Sequence, residues 1–453
     1  MKLSLLTTTF PNNFKKETEQ YFDFAVDDNV ENDVVNIYPE MEYQIFEGFG
    51  GAITDSAGYV YSQMSEKQKA RMISTYFDHD EMDYQIVRIP MDSCDFSTEY
   101  YEAMSNPSDR TLSSFDMTGT EKYIIPLLED ICKITGKKIK IMLTPWSPPA
   151  FMKTNGKRNH GGKLKETYKA FWADYICKYI ENFRMRGYKV TRMSLQNEPN
   201  AVQAWDSCTF APKEEKDFLR NYMYPALQAH GLDDMEVFIW DHNKERAFER
   251  ACAIIDEDTN HMIQGIAFHW YSGDHFDALN LIHEKFPDKK LILSEACVEY
   301  NKFSKENGLA NAQKYAHEII GNLNGGMTGF YDWNILLNEL GGPNTVFNYC
   351  EAPFLFDTKE HELTECHTLT YLRHFSHFIA PGAVRIASTK YTDKLEVVAM
   401  KNPNGMIIVI ILNSTKELLT AAIRMDGKYT KILIQPESIV TAQIQEEYDD
   451  FSK

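Results

Sequence analysis

Eight short apolar runs, ending near residues 53, 89, 143, 195, 240, 269, 294 and 333, constrain this chain more than any other feature. Apolar runs of this length bounded by turn signals read as buried strands. Between them lie helix-patterned stretches: 65–76, with Ser65 as N-cap, then 122–135, 166–186 ending at Gly187, 213–230, 245–255, 276–286 and 310–323. Strands alternating with helices predict a parallel sheet, and eight strands are the number that closes one into a barrel. The predicted fold class is therefore α/β, a (β/α)8 TIM barrel over residues 46–380.

After residue 380 the texture changes to short strands without helices, at 394–399, 406–411, 418–424, 431–434 and 439–445, with turns such as Asn402-Pro-Asn-Gly. That pattern predicts a small antiparallel β-sandwich over 381–453. Residues 1–45 read as a helix-prone polar start followed by strand-like alternation from Asp33 to Phe46. This segment is expected to lend strands to the sandwich, because domain termini often meet. A chain of 453 residues exceeds what one ordinary core supports, which agrees with two domains.

The net charge of −19 disfavours a nucleic-acid backbone or an anionic membrane surface as partner, since both require basic patches. A neutral small-molecule substrate is the simpler expectation. No run approaches a membrane span, and Met-Lys-Leu-Ser-Leu-Leu at the start is too short an apolar run, without a cleavage site, for a signal peptide. The eight cysteines are scattered without a Cys-x-x-Cys, as in a reduced, cytoplasmic protein. Oligomeric state is not encoded legibly.

The chemistry gathers at the strand ends. Glu198 follows the fourth run in Gln-Asn-Glu-Pro, and Glu295 ends the seventh in Leu-Ile-Leu-Ser-Glu. In a barrel of this kind, the C-terminal ends of the strands form the catalytic rim. Two carboxyls there match glycoside hydrolysis, in which one protonates the leaving oxygen and the other attacks or stabilises the sugar cation. Asn197 stands beside Glu198, and Arg88, Asp95, Trp146, His269, Tyr271 and Trp333 sit at other strand ends, giving flat aromatic walls and hydrogen-bonding groups suited to a sugar. A single Glu at a strand end is more often a surface residue, but the joint pattern is not.

Other motifs point elsewhere or nowhere. Phe46-Glu-Gly-Phe-Gly-Gly-Ala marks a tight backbone passage, either a barrel turn or a close approach to substrate, and lacks the phosphate-loop spacing. A metal hydrolase would want His-x-His after the first strand or His-Glu-x-x-His, and neither is present, so no metal or other cofactor is expected. His374 and His377 share a helical face without a third ligand. The basic, Gly-rich loop 153–163 offers contacts to a leaving group but reads more simply as a solvated loop. A non-catalytic sugar-binding barrel would keep the tryptophans and lose one acid; this chain keeps both.

Taken together, Gly48-Phe-Gly-Gly-Ala-Ile-Thr-Asp-Ser, Ser93-Cys-Asp-Phe-Ser, Pro145-Trp-Ser-Pro-Pro, Met152-Lys-Thr-Asn-Gly, Asn197-Glu-Pro, Ser294-Glu-Ala-Cys and Asp332-Trp-Asn with Gly341-Gly-Pro-Asn resemble glycoside hydrolase family 30, close to its glucosylceramidases. The resemblance implies a retaining exo-β-glycosidase with Glu198 as acid/base and Glu295 as nucleophile. It places Asp95, Trp146 and Trp333 at the −1 subsite and His269, Tyr271 and Asn348 around the nucleophile or the pocket mouth. It implies a carbohydrate or glycolipid substrate: a β-glucoside first, with β-xylosidase, β-fucosidase and β-1,6-glucanase as alternatives. Arg88 is expected to keep Glu295 ionised. Burial and the charge of Glu295 are expected to raise the pKa of Glu198.

Overall fold

The computed structural model describes residues 1–445. Its centre is a closed eight-stranded parallel barrel of Phe49–Ala52, Ile86–Met91, Lys140–Pro145, Lys189–Ser194, Glu236–Asn243, Gly265–His269, Lys290–Glu295 and Gly329–Asp332. The eighth strand closes on the first through the registers Phe330↔Phe49 and Asp332↔Gly51. These strands are buried on both faces, which is why they read as apolar runs rather than as alternation. In the first strand, a Cβ on Gly50 would lie 2.0 Å from the Ile86 carbonyl oxygen. The glycine passage is thus a barrel strand and not a turn. It lets two strand backbones approach.

Helices wrap the barrel. Ser65 caps Glu66–Phe77, with Gln68 returning the capping-box hydrogen bond. The stretch from residue 213 is not one regular helix: Pro225 has no N–H to return to Asn221, and the turn ahead of it, Leu219–Met223, widens to a π turn. Residues 336–365 add a small sheet of Leu336–Asn338, Phe354–Asp357 and Glu362–Glu365, in which no strand is long enough to show periodicity in the sequence.

The second core lies within a ten-stranded sheet that combines both ends of the chain. Leu3, Leu5, Val35 and Ile37 pack with Ile386, Val409, Ile411 and Ile423. The helix-prone reading of the first residues is corrected here: Lys2–Thr9 and Lys16–Asp23 form an antiparallel hairpin. Lys16–Asp23 is an edge strand exposed over nearly its whole length, so it carries no buried stripe that would betray a strand.

Three polar links fasten the architecture. At the N-terminal end of the barrel Arg192 is buried and donates to Glu236 at 2.6 Å, Glu47 at 2.5 Å and the Tyr331 hydroxyl at 3.2 Å. His317, on helix Gly308–Asn324, bridges Asp274 and Glu396, the latter in the ten-stranded sheet, at 3.1 and 2.7 Å. His374 and His377 part company: His374 is buried between Thr441 and Thr8 at 2.7 and 2.8 Å, whereas His377 meets the Glu81 carbonyl. Among the described residues no helix is long and apolar enough to cross a membrane, and all eight cysteines are unpaired.

Candidate active site

The C-terminal rim of the barrel encloses a pocket of about 160 Å³ lined by Asp95, Trp146, Asn197, Glu198, Tyr271, Glu295, Trp333 and Asn348, together with Gln203, Trp205, His242 and Cys297. Every pocket residue expected from the sequence lies here, apart from Arg88 and His269, which sit directly beneath. Its volume falls below the roughly 300 Å³ at which pockets for drug-sized ligands begin. It suits one sugar ring better than a length of chain.

Arg88 is the hub. It projects from the second strand into the barrel interior, fully buried, and donates to Glu295 at 2.7 Å, Asn197 at 2.8 Å and Asp241 at 2.9 Å. Its guanidinium also stacks over Trp146 and Trp333, 4.8 and 5.5 Å from the ring centroids. Those two rings stack on each other at 5.3 Å with 17° between planes, and each is at most 2% exposed. The aromatic wall therefore shows the pocket little more than its edges.

The two acids have different surroundings. Glu295, the last residue of its strand, accepts from Arg88 on Oε2 and from the Tyr271 hydroxyl on Oε1 at 2.9 Å. Glu198 lies beyond its strand in the left-handed region, φ 47, with its N–H donating to the Asp241 carbonyl at 2.9 Å. A left-handed non-glycine backbone is costly, and here it aims a carboxyl into the pocket. Glu198 Oε1 stands 3.3 Å from His269 Nδ1 and 3.7 Å from His242 Nδ1. The far side of the His269 ring, Nε2, is 3.1 Å from Asp241 Oδ1. Asp241 in turn receives Ser194 and Ser294, both at 2.5 Å.

The electrostatic order of the acids reverses the expectation. Burial pushes Glu198 up, but the hydrogen bond from His269 and the charges of His242 and His269 outweigh it, and its carboxyl lies below the ordinary range. Glu295 lies above it, because burial and the Glu198 charge exceed what His269 and Arg88 return. His269 loses by burial and gains more from Glu295, Asp241 and Glu198, which carry it up to about 9. Burial opposes the charge of Asp241 as well, yet Arg88 and His269 hold it below the usual carboxylate range. Burial and the charge of Glu295 push Asp95 well up, and Asn344 donates to it at 3.3 Å.

Asp241, His242, Gln203 and Trp205 escaped the sequence reading, and Asn344 entered it only within a motif, with no role. Asp241-His242-Asn243 ends the fifth strand, so the signal that exposed the other rim residues was present there too. Asn348 lines the mouth and accepts from Asn301 at 3.3 Å rather than touching Glu295. The loop 153–163 is solvated over 154–157, His160 and Lys163, as expected, but pinned from beneath at two points. Lys153 is buried against the carbonyls of Arg158 and Ser207, and Arg158 reaches Asp206 at 3.2 Å and Asp92 at 3.4 Å. Arg158 thus turns inward to acids behind the pocket, while Lys157 and Lys163 face solvent.

Known proteins agree with this architecture. The glycosyl hydrolase family 30 TIM-barrel domain matches residues 46–379, and the family's beta sandwich domain matches residues 382–442. Lysosomal acid glucosylceramidase of Mus musculus is 32% identical over 402 residues, spanning 85% of this chain and 78% of that protein. An endo-1,6-beta-D-glucanase of Neurospora crassa is 23% identical over 422 residues, 89% of this chain and 86% of that one. Among solved structures, SrfJ from Salmonella typhimurium superposes with a TM-score of 0.94 at 36% identity, covering 99% of this chain and all of its own. The chain belongs to glycosyl hydrolase family 30 and is a glycoside hydrolase.

Proposed function

We propose that the protein is a retaining exo-β-glycosidase acting on β-glucosides of the glucosylceramidase type, with Glu295 as nucleophile and Glu198 as acid/base. The observation that carries this reading is the pair of buried carboxyls on one pocket with complementary partners. Glu295 is held by Arg88 and Tyr271, and Glu198 by a histidine that can supply a proton.

In the first step a Glu295 oxygen bonds to the anomeric carbon as the bond to the leaving oxygen breaks, and Glu198 delivers a proton to that oxygen. The proton is stored one hydrogen bond away, on His269, and passes to Glu198 as the sugar displaces water and the leaving oxygen gains charge. In the second step water attacks the anomeric carbon, Glu198 takes its proton and the ester to Glu295 breaks. Two inversions return the β-anomer. Asn197 accepts from Arg88 through its side-chain oxygen, which leaves its N–H2 group for the sugar 2-hydroxyl. Asp95, whose carboxyl burial and the Glu295 charge push up, holds the ring in the −1 subsite with Trp146 and Trp333.

Two features favour a single glucose with an apolar aglycone. The pocket has room for one ring, and Leu340, Phe347 and Phe303 stand exposed in the loops that carry the lining residues Lys302, Asn348 and Cys350. A relative named as an endo-1,6-beta-D-glucanase supports β-1,6-glucan as the second reading. The test is hydrolysis of aryl β-glucoside, β-xyloside, β-fucoside and β-galactoside beside glucosylceramide and β-1,6-glucan. Preferential cleavage of the glucoside and glucosylceramide is expected; internal cleavage of the glucan alone would replace the exo reading with the endo one.

A further inference from the structure

We propose that Glu198, His242 and His269 form an inhibitory binding site for a divalent transition-metal ion of the zinc class. Among the described residues this is the group whose donor atoms, one carboxylate oxygen and two ring nitrogens, all lie within 4.8 Å of one another. Glu198 Oε1 is 3.3 Å from one imidazole Nδ1 and 3.7 Å from the other. Bonds of about 2.0–2.1 Å in a tetrahedral site place ligand atoms roughly 3.4 Å apart; the two glutamate–imidazole separations already approach that, and the remaining edge, at most 4.8 Å, closes as the rings shift toward the ion. Two histidines and a glutamate with an open fourth position, here facing the pocket, are a zinc-type donor set.

The surroundings favour a cation. Asp241 accepts from His269 Nε2 at 3.1 Å, which turns the Nδ1 lone pair of the neutral ring toward Glu198 and supplies the carboxylate–histidine–metal arrangement that strengthens such ligands. With His269 neutral, the carboxylates Glu198, Glu295 and Asp241 outweigh the single guanidinium of Arg88, leaving the buried set two charges negative. The ion replaces the proton between His269 and Glu198, which is released to solvent. One bond opposes it: the Asn243 N–H donates to His242 Nδ1 at 2.8 Å and must let go. An ion held there removes the acid/base from use.

The test uses the full chain and metal alone. Co2+ titrated into the protein is expected to give the visible absorption of a four- or five-coordinate nitrogen and oxygen site at one equivalent. Zn2+ should displace it and EDTA abolish it. Zn2+ should also lower glycosidase activity in proportion to occupancy, reversibly. His242→Ala and, separately, Glu198→Gln should each weaken cobalt binding by about tenfold or more, with circular dichroism confirming the fold. A double Cys297→Ser, Cys350→Ser variant should keep the cobalt spectrum. The proposal is overturned if no such absorption develops, if it carries thiolate charge-transfer bands from the pocket cysteines, or if both His242→Ala and Glu198→Gln bind cobalt as the parent does. Because cobalt absorption needs no turnover, a silent glycoside panel beside an intact cobalt site would fault the assigned reaction and leave the metal site standing.

Discussion

Arg88 donates to Glu295 at 2.7 Å across the barrel interior, from the second strand to the seventh, with no exposed surface on the guanidinium. A buried ion pair is held by its geometry, and this one is shared: the same guanidinium also pairs with Asp241. Arg88→Met leaves two buried carboxylates without their cation. The expected result is a fall in kcat/KM of about 100-fold or more and a loss of roughly 3–5 kcal/mol of stability. Kinetics and denaturant unfolding read the two effects separately.

The two acids should be separable by leaving group. Glu295→Ala removes the attacking oxygen and is expected to reduce turnover by about 10⁴-fold or more for every substrate while the protein stays folded. Glu198→Gln should slow substrates with poor leaving groups far more than activated aryl glycosides, which need little protonation. A plot of log kcat/KM against leaving-group pKa checks it, and equal losses across the series would assign Glu198 another role.

Activity should have an alkaline limb near pH 9. Partners raise His269 to about 9, so the proton that it shares with Glu198 is present below that pH and lost above it. The limb belongs to the pair rather than to either residue. His269→Asn should move or erase the limb and lower kcat; a profile unchanged by that substitution would contradict the storage of the proton on His269.

Stability should decline over the same range for a separate reason. His317 is raised to about 9, first by its hydrogen bond to Glu396 and then by Asp274, against an ordinary value near 6.5. A raised histidine contributes its full stabilisation below the unfolded value and loses it as pH climbs through the folded one. The melting temperature should therefore fall between about pH 6.5 and 9. His317→Gln should flatten that slope and lower the melting temperature at pH 6.

The barrel was legible because its strands are buried on both faces, and continuous apolar runs such as Lys290 to Ser294 stand out whatever their neighbours. The edge strand Lys16–Asp23 had no such mark. Glu198 and Glu295 were legible because Glu295 ends an apolar run and Glu198 follows one within three residues, in Gln-Asn-Glu-Pro. Asp241 was not, although it stands in the same position on the fifth strand; its neighbours Trp240 and His242 belong to no recognised string of site residues. The pKa order failed for a related reason. Burial and the second carboxyl can be read from sequence, but the His269 contact depends on a left-handed backbone at Glu198, which residue types alone do not announce.

The proposed double displacement stands or falls on the anomer released. Proton NMR of aryl β-glucoside hydrolysis, followed before mutarotation sets in, should show the β-anomer first, with α appearing only as equilibrium is approached. Initial release of the α-anomer would contradict the covalent role of Glu295 and require a water between the two acids.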